Sequence, residues 1–106
     1  MGPKVRKIVG ELRQGLESLY SGRLERVVLY GSQARGDAEE GSDIDILVVL
    51  RGSVSPCDEI ARTSELVAEL SLKHDVLIVP TFISESRYKR GQSPLLLNVR
   101  REGVAV

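Results

Sequence analysis

A single cysteine, Cys57, rules out an internal disulfide framework, and no positively charged segment running into an apolar one opens the chain as an export signal would. A cytoplasmic protein is the expectation. Neither sign of charge is in surplus: 15 Lys and Arg face 15 Asp and Glu, so nothing electrostatic favours general binding to nucleic acid or to an anionic membrane. Any phosphate chemistry has to come from a local site. The most apolar stretch, Ile44 to Leu50, is far short of the about 20 residues a membrane helix needs. It reads as a buried strand. Repeats, low-complexity tracts and linkers are missing too. The length of 106 residues fits one domain, residues 1–106, with a real core but nothing to spare for a second.

What is present is a regular alternation of elements. From Pro3 to Tyr20 apolar residues fall at Val5, Ile8, Leu12, Leu16 and Leu19, the spacing of one helical face. Gly10 and Gly15 each cost that helix about 1 kcal/mol relative to alanine, so packing has to stabilise it. Ser21-Gly22 ends it, and "RVVLY" (26–30) has the β-branched density of a strand running into Gly31. "DIDILVVL" (43–50) is a second strand, with Ile44, Ile46, Val48 and Leu50 on one face and Asp43, Asp45, Leu47 and Val49 on the other. Both faces are apolar beyond the aspartates, which predicts a central strand covered on both sides.

Ser55 followed by Pro56, with Asp58 as a capping-box variant, opens a helix predicted to run to about Lys73. Its buried stripe is expected at Ile60, Val67 and Leu70, with Leu66 beside it. "DVLIVP" (75–80) is a third strand, "TFISESRYKRG" a turn or short helix, and Ser93-Pro94 caps a last helix that Gly103 ends. The order predicts an α/β (α+β) fold: a small mixed sheet flanked by helices.

The chemistry gathers at strand ends. Asp43 and Asp45 are two apart and project to the same side, two anions that repel unless a hard cation lies between them. Mg²⁺, with its preference for one or two carboxylates plus water and substrate phosphates, is the implied ion. Asp75 either completes the metal ligands or takes a proton from an attacking hydroxyl, and three carboxylates suit a site with two ions. Separated from Asp43 by ten residues is the Gly31-Ser32 pair, in which Gly31 lets the backbone approach a phosphate and Ser32 adds a hydroxyl donor at the start of a helical turn. Arg35 and Ser42, in the loop between, are candidates for phosphate contacts.

Gly31-Ser32, ten residues, Asp43-Ile44-Asp45 and a further aspartate ahead of a strand resemble the nucleotidyltransferase superfamily of DNA polymerase β. Within it, "GSQARGDAEEGSDIDILVV" and the short length are most similar to the minimal nucleotidyltransferases, MNT. The likeness is close from Val28 to Pro80 and extends to "SPLLLNVRREGVAV". It implies a mixed sheet with helices packed against it, and transfer of a nucleoside monophosphate from a nucleoside triphosphate such as ATP to a hydroxyl, releasing pyrophosphate. By position it makes Asp43 and Asp45 metal ligands, Asp75 the third carboxylate, and Gly31 and Ser32 the phosphate holders. Many minimal members are encoded beside a HEPN-domain ribonuclease toxin and act as its antitoxin, some by adenylylating a tyrosine on it. Larger relatives carry a further domain for the acceptor. The resemblance therefore implies a partner protein that supplies part of the acceptor site.

Plainer readings stand beside these. Aspartates are common at loop-to-strand junctions, Asp75 serves equally as a turn residue, and Arg35 as a solvated surface charge. His74, beside Asp75, fits the last turn of a helix, where it favours the dipole. Cys57 near a helix start is usually inert. Tyr88 and "YKRG" offer contacts to a nucleotide or an acceptor, or read more plainly as a mobile surface loop. Leu95, Leu96, Leu97 and Val99 exceed one stripe, which points to an interface with a second protomer or a partner, or simply to a core helix. Against the enzyme stand a catalytically silent antitoxin that only occludes its partner, and transfer to a small molecule such as an aminoglycoside, which lacks an acceptor domain here.

Overall fold

The computed structural model describes residues 2–39 and 41–106. Its elements are α1 (Pro3–Tyr20), β1 (Leu24–Tyr30), α2 (Ser32–Arg35), β2 (Ile44–Leu50), α3 (Pro56–His74), β3 (Ile78–Ser84), α4 (Glu85–Arg90), α5 (Pro94–Glu102) and β4 (Val104–Ala105), with a short 3-10 turn at Ser21–Arg23. The sheet order is β3-β2-β1-β4. β1 is antiparallel to β2 and to β4, whereas β2 and β3 are parallel and joined by α3, the long crossover that parallel strands require. This is the mixed sheet flanked by helices that the sequence predicts.

β2 is central because both its faces are apolar. Ile44, Ile46, Val48 and Leu50 join Val27, Leu29, Ile78 and the helix residues Ile8, Leu12, Leu16 and Leu70 on one side. Leu47 and Val49 join Val28, Ile83, Leu96 and Val99 on the other. The layer of α1 and α3 thus covers one face, and α4 with α5 the second. Among the described residues no helix is long and apolar enough to cross a membrane.

Several boundaries shift from the sequence expectation. In α1 the buried stripe is Ile8, Val9, Leu12, Leu16 and Tyr20, while Leu19 remains 44% exposed. The 3.6-residue period carries the stripe to Tyr20, whose ring has a polar partner below. In α3 Leu70 is buried and Leu66 and Val67 pack against the core as expected, but Ile60 is 53% exposed and the first turns bury Glu59 and Thr63 in its place. The Ser55 hydroxyl makes no capping bond; its N–H donates to the Glu59 carboxylate at 3.4 Å, so Glu59 rather than Asp58 reaches back. β3 starts at Ile78 instead of Asp75 and passes through Pro80 to Ser84. Proline is tolerated because β3 is an edge strand, where one side of the backbone has no ladder to donate to. The two-residue β4 carries no sequence signal of its own and is held by β1, with the Val106 N–H donating to the Val27 carbonyl at 3.0 Å.

The two glycines of α1 behave differently. A Cβ on Gly15 would lie 2.5 Å from Leu66 Cδ1, so this glycine lets α1 and α3 close on each other. A Cβ on Gly10 would meet nothing within 4 Å. Gly10→Ala is therefore expected to stabilise the fold by about 0.5–1 kcal/mol, and Gly15→Ala to destabilise it by about 1–3 kcal/mol through overpacking. Urea unfolding of the pair checks the contrast; equal shifts of one sign would refute it.

Candidate active site

Antiparallel pairing brings the end of β1 to the start of β2, and this register builds the site. Tyr30 lies opposite Asp45, so the Gly31-Ser32 turn that follows folds over the Asp45 carboxylate. Gly31 has φ +78° and ψ −158°, a conformation reserved for glycine, and a Cβ there would lie 2.6 Å from Asp45 Oδ2. Backbone and carboxylate are in direct contact, with no room for a side chain.

α2 is one tight turn. The Gly31 carbonyl accepts from the Ala34 and Arg35 amides at 3.1 Å each, and Gly36, in the left-handed region, closes the turn onto the Ser32 carbonyl. As at any helix start, the first amides of the turn have no acceptor within it. Gln33 fixes the turn to the second strand: its Nε2 donates to the Ser42 carbonyl at 3.1 Å. The Gly-Ser turn and the aspartate strand are thereby held in one register.

Asp43 is exposed just before β2, and Asp45 is half-buried within it. Burial first, and the Asp43 charge second, hold the Asp45 carboxyl above the ordinary aspartate range. The repulsion expected from two carboxylates two residues apart is thus present, and a cation bound between them relieves it. The donor set, two carboxylates beside a backbone turn open to phosphate, fits a hard, oxygen-liganded ion such as Mg²⁺.

Asp75 is not brought to this pair. It is the C-cap of α3, in the left-handed region at φ 50°, three residues before β3 begins. It lines a cleft of about 360 Å³ with Ile8, Ile44 and Val76 and also with Gln33, Gly41 and Ser42 of the Gly-Ser turn and its loop, whereas Asp45 lies on the side of Leu47 and Val49. On β3 the residue in register with Asp45 is Val79. Among the described residues no three His, Cys, Asp or Glu side chains form a group that could hold a metal. Residues 75–77 form the turn between α3 and β3 instead of the head of a strand.

Arg35 is also otherwise engaged. Its Nε donates to Asp37 at 3.1 Å, and its Nη1 to both oxygens of Glu102 at 3.2 Å, which ties the turn to the end of α5. Ser42 is half-buried and enters the site through its carbonyl. Three contributors escaped the sequence reading: Tyr30, Gln33 and Glu102. Tyr30 was recoverable from antiparallel pairing; the other two depend on tertiary contacts. His74 sits in the last turn of α3 as expected, and its Nε2 meets Glu11 at 2.5 Å, on the α1 side.

A family described as the nucleotidyltransferase domain matches residues 9–95. Two proteins of Methanocaldococcus jannaschii, both provisionally named protein adenylyltransferases, are similar in sequence. One is 34% identical over 74 residues, 70% of this chain and 74% of its own. The other is 38% identical over 84 residues, 79% of this chain and 78% of its own. Among solved structures, a chain of a toxin–antitoxin complex with AMP-PNP superposes at a TM-score of 0.62 and 23% identity, covering 98% of this chain and 72% of that one. A chain from the complex of a tri-AMPylated Shewanella oneidensis HEPN toxin with an MNT antitoxin gives 0.54 at 21% identity, covering 96% and 67%. At those identities the likeness is one of fold.

Proposed function

Because the chain belongs to the nucleotidyltransferase domain family, we propose that it moves AMP from ATP to a hydroxyl of a partner protein, a tyrosine of a HEPN-type toxin, and so acts as that toxin's antitoxin in the cytoplasm. The observation that carries this reading is the contact between the Gly31 backbone and the Asp45 carboxylate. It makes a phosphate-binding turn and a cation-binding pair into one continuous surface. The names of the two archaeal relatives and the fold shared with toxin–antitoxin chains support the choice of acceptor.

The residues divide the work by position. The turn from Gly31 to Ser32 cradles the triphosphate through backbone amides and the Ser32 hydroxyl, with Gln33 holding it against Ser42. Asp43 and Asp45 would hold Mg²⁺, two ions in this reading, which when bound offset phosphate charge and polarise the acceptor oxygen. The acceptor oxygen attacks the α-phosphorus, the bond to the β-phosphate bridge breaks, pyrophosphate leaves, and the hydroxyl proton passes to solvent. Positioning and electrostatics supply most of the acceleration in such transfers. Asp75 has no part here, and Arg35 reaches phosphate only by exchanging Glu102 for it.

A second reading keeps the binding and drops the chemistry. Its support is specific: the position beside Asp45 on β3 is Val79, and among the described residues no third carboxylate completes a metal-holding group with the pair. One experiment separates the two. The pure protein is incubated with α-labelled ATP, Mg²⁺ and the purified HEPN-type protein encoded beside it, with Asp43→Asn and Asp75→Asn in parallel. Label on the partner that Asp43→Asn abolishes and Asp75→Asn retains within about tenfold is the expected result. Absence of label with every nucleoside triphosphate, while Asp43→Asn still binds and neutralises the partner, would leave the silent antitoxin.

A further inference from the structure

The sheet face that carries Asp45 also carries a basic cluster outside the site. Arg26 on β1 shares a face with Val28 and Tyr30, four residues from Tyr30 and so about 13 Å along the strand. The Arg26 and Arg100 guanidinium carbons each lie 5.4 Å from the centre of the Tyr88 ring. Arg100 is fixed by the end of α4, with Nη2 donating to the Tyr88 carbonyl at 2.7 Å and the Lys89 carbonyl at 3.2 Å. Arg26 makes no hydrogen bond or ion pair among the described residues, and no described carboxylate pairs with Arg100. Between them and Val28, Gly103 and Ala105 opens a cleft of about 400 Å³.

Two cations held on one ring repel each other unless an anion bridges them. The surroundings add to the charge: residues 85–102 contain Arg87, Lys89, Arg90, Arg100 and Arg101 against Glu85 and Glu102, in a chain whose total is balanced. α4 and α5 therefore carry a net positive charge, and they cover the sheet face that Asp45 shares with Leu47 and Val49. A guanidinium is suited to grip a carboxylate with two parallel N–H groups.

We propose that Arg26, Tyr88 and Arg100 form a docking site for an acidic segment of the protein acceptor, which holds the acceptor on the sheet face where its hydroxyl is to react. Nucleic acid fits less well. Proteins that grip single strands pair cations with open aromatic faces for the bases, and here the Tyr88 ring is covered by guanidinium groups, Tyr20 and Phe82 are buried, and Tyr30 is half-buried against the sheet-face cluster. The identity of the occupant as acceptor rests on the transfer reading above; the binding itself does not.

The test uses the whole chain without nucleotide. Fluorescence anisotropy is measured with a fluorescein-labelled peptide of tyrosine flanked by glutamates, the same peptide with glutamines, and a single-stranded RNA of equal charge. The glutamate peptide is expected to bind, to weaken as salt rises, and to lose about tenfold in affinity with Arg26→Gln and more with Arg26→Gln/Arg100→Gln. Arg26→Gln is the decisive variant, because the Arg26 side chain makes no hydrogen bond or ion pair among the described residues and glutamine keeps its place on β1. Equal binding of the glutamine peptide, or no loss with Arg26→Gln, overturns the proposal. RNA binding tighter than the glutamate peptide, lost in the same variant, overturns it in favour of a nucleic-acid surface. Docking that holds while labelled AMP transfer fails removes the transfer reading alone, and transfer that survives Arg26→Gln with unchanged KM for the partner removes the docking site alone.

Discussion

Asp45→Asn is expected to lower AMP transfer by about 10³-fold or more and at the same time to raise the thermal midpoint of the metal-free protein. Asparagine keeps the shape that fits against Gly31 but cannot supply the charge that a hard cation requires. In the absence of a cation that charge is a burden on the fold, since burial and then Asp43 already hold the Asp45 carboxyl above its ordinary range. Removing it relieves the strand end. Mg²⁺ should accordingly raise the midpoint of the wild-type protein by linkage and leave that of Asp45→Asn unmoved. Transfer of label from α-labelled ATP and thermal scans with and without Mg²⁺ read both halves. A variant that loses activity and stability together, with no response of the wild type to Mg²⁺, would make Asp45 a structural residue.

This opposition of stability and chemistry explains why the site was the most legible part of the sequence. Gly31, Ser32, Asp43 and Asp45 are local choices that a strand and a turn would not make for their own sake, and the structure brings Gly31 and Asp45 together through the β1–β2 register. The two faces of β2 were equally legible, because a period of two and apolar residues on both sides leave one solution. Asp75 was not legible. It precedes an apolar run, as a strand-opening residue does, yet α3 ends on it in a left-handed cap, and which side of the sheet it serves depends on where α3 delivers the chain. The same limit hid β4, two residues that are a strand only because β1 offers an edge. It also hid the Arg35 contact with Glu102, 67 residues away.

The buried carboxylate of α3 shows the opposite bargain, in which a charge is retained for the fold. Glu59 is 3% exposed, and its Oε1 accepts from the Tyr20 hydroxyl at 2.9 Å, with Arg62 Nε at 3.4 Å and the Ser55 N–H on the other oxygen. Arg23 and Arg62 also lie 5.8 and 5.9 Å from the Tyr20 ring centre. Glu59→Ala would leave a buried phenol and a helix-start amide without an acceptor and open a cavity between α1 and α3, costs that together come to about 3 kcal/mol. For a chain of this length the thermal midpoint should fall by about 10–20 °C, with Glu59→Gln, which retains an acceptor for Tyr20, recovering most of it. Alkaline unfolding gives a second reading of the same contact. Burial, and next the Glu59 hydrogen bond, push the Tyr20 hydroxyl up from 10.0 to about 12. A phenol raised in the folded state stabilises it fully below its unfolded value, so that contribution is present up to about pH 10 and is lost as the pH climbs through about 12. In Glu59→Ala the window should narrow but persist, because burial of the ring remains when the carboxylate is gone. Urea unfolding across that range tests this, and a midpoint for Glu59→Ala equal to wild type at neutral pH would show that the contact adds nothing to the fold.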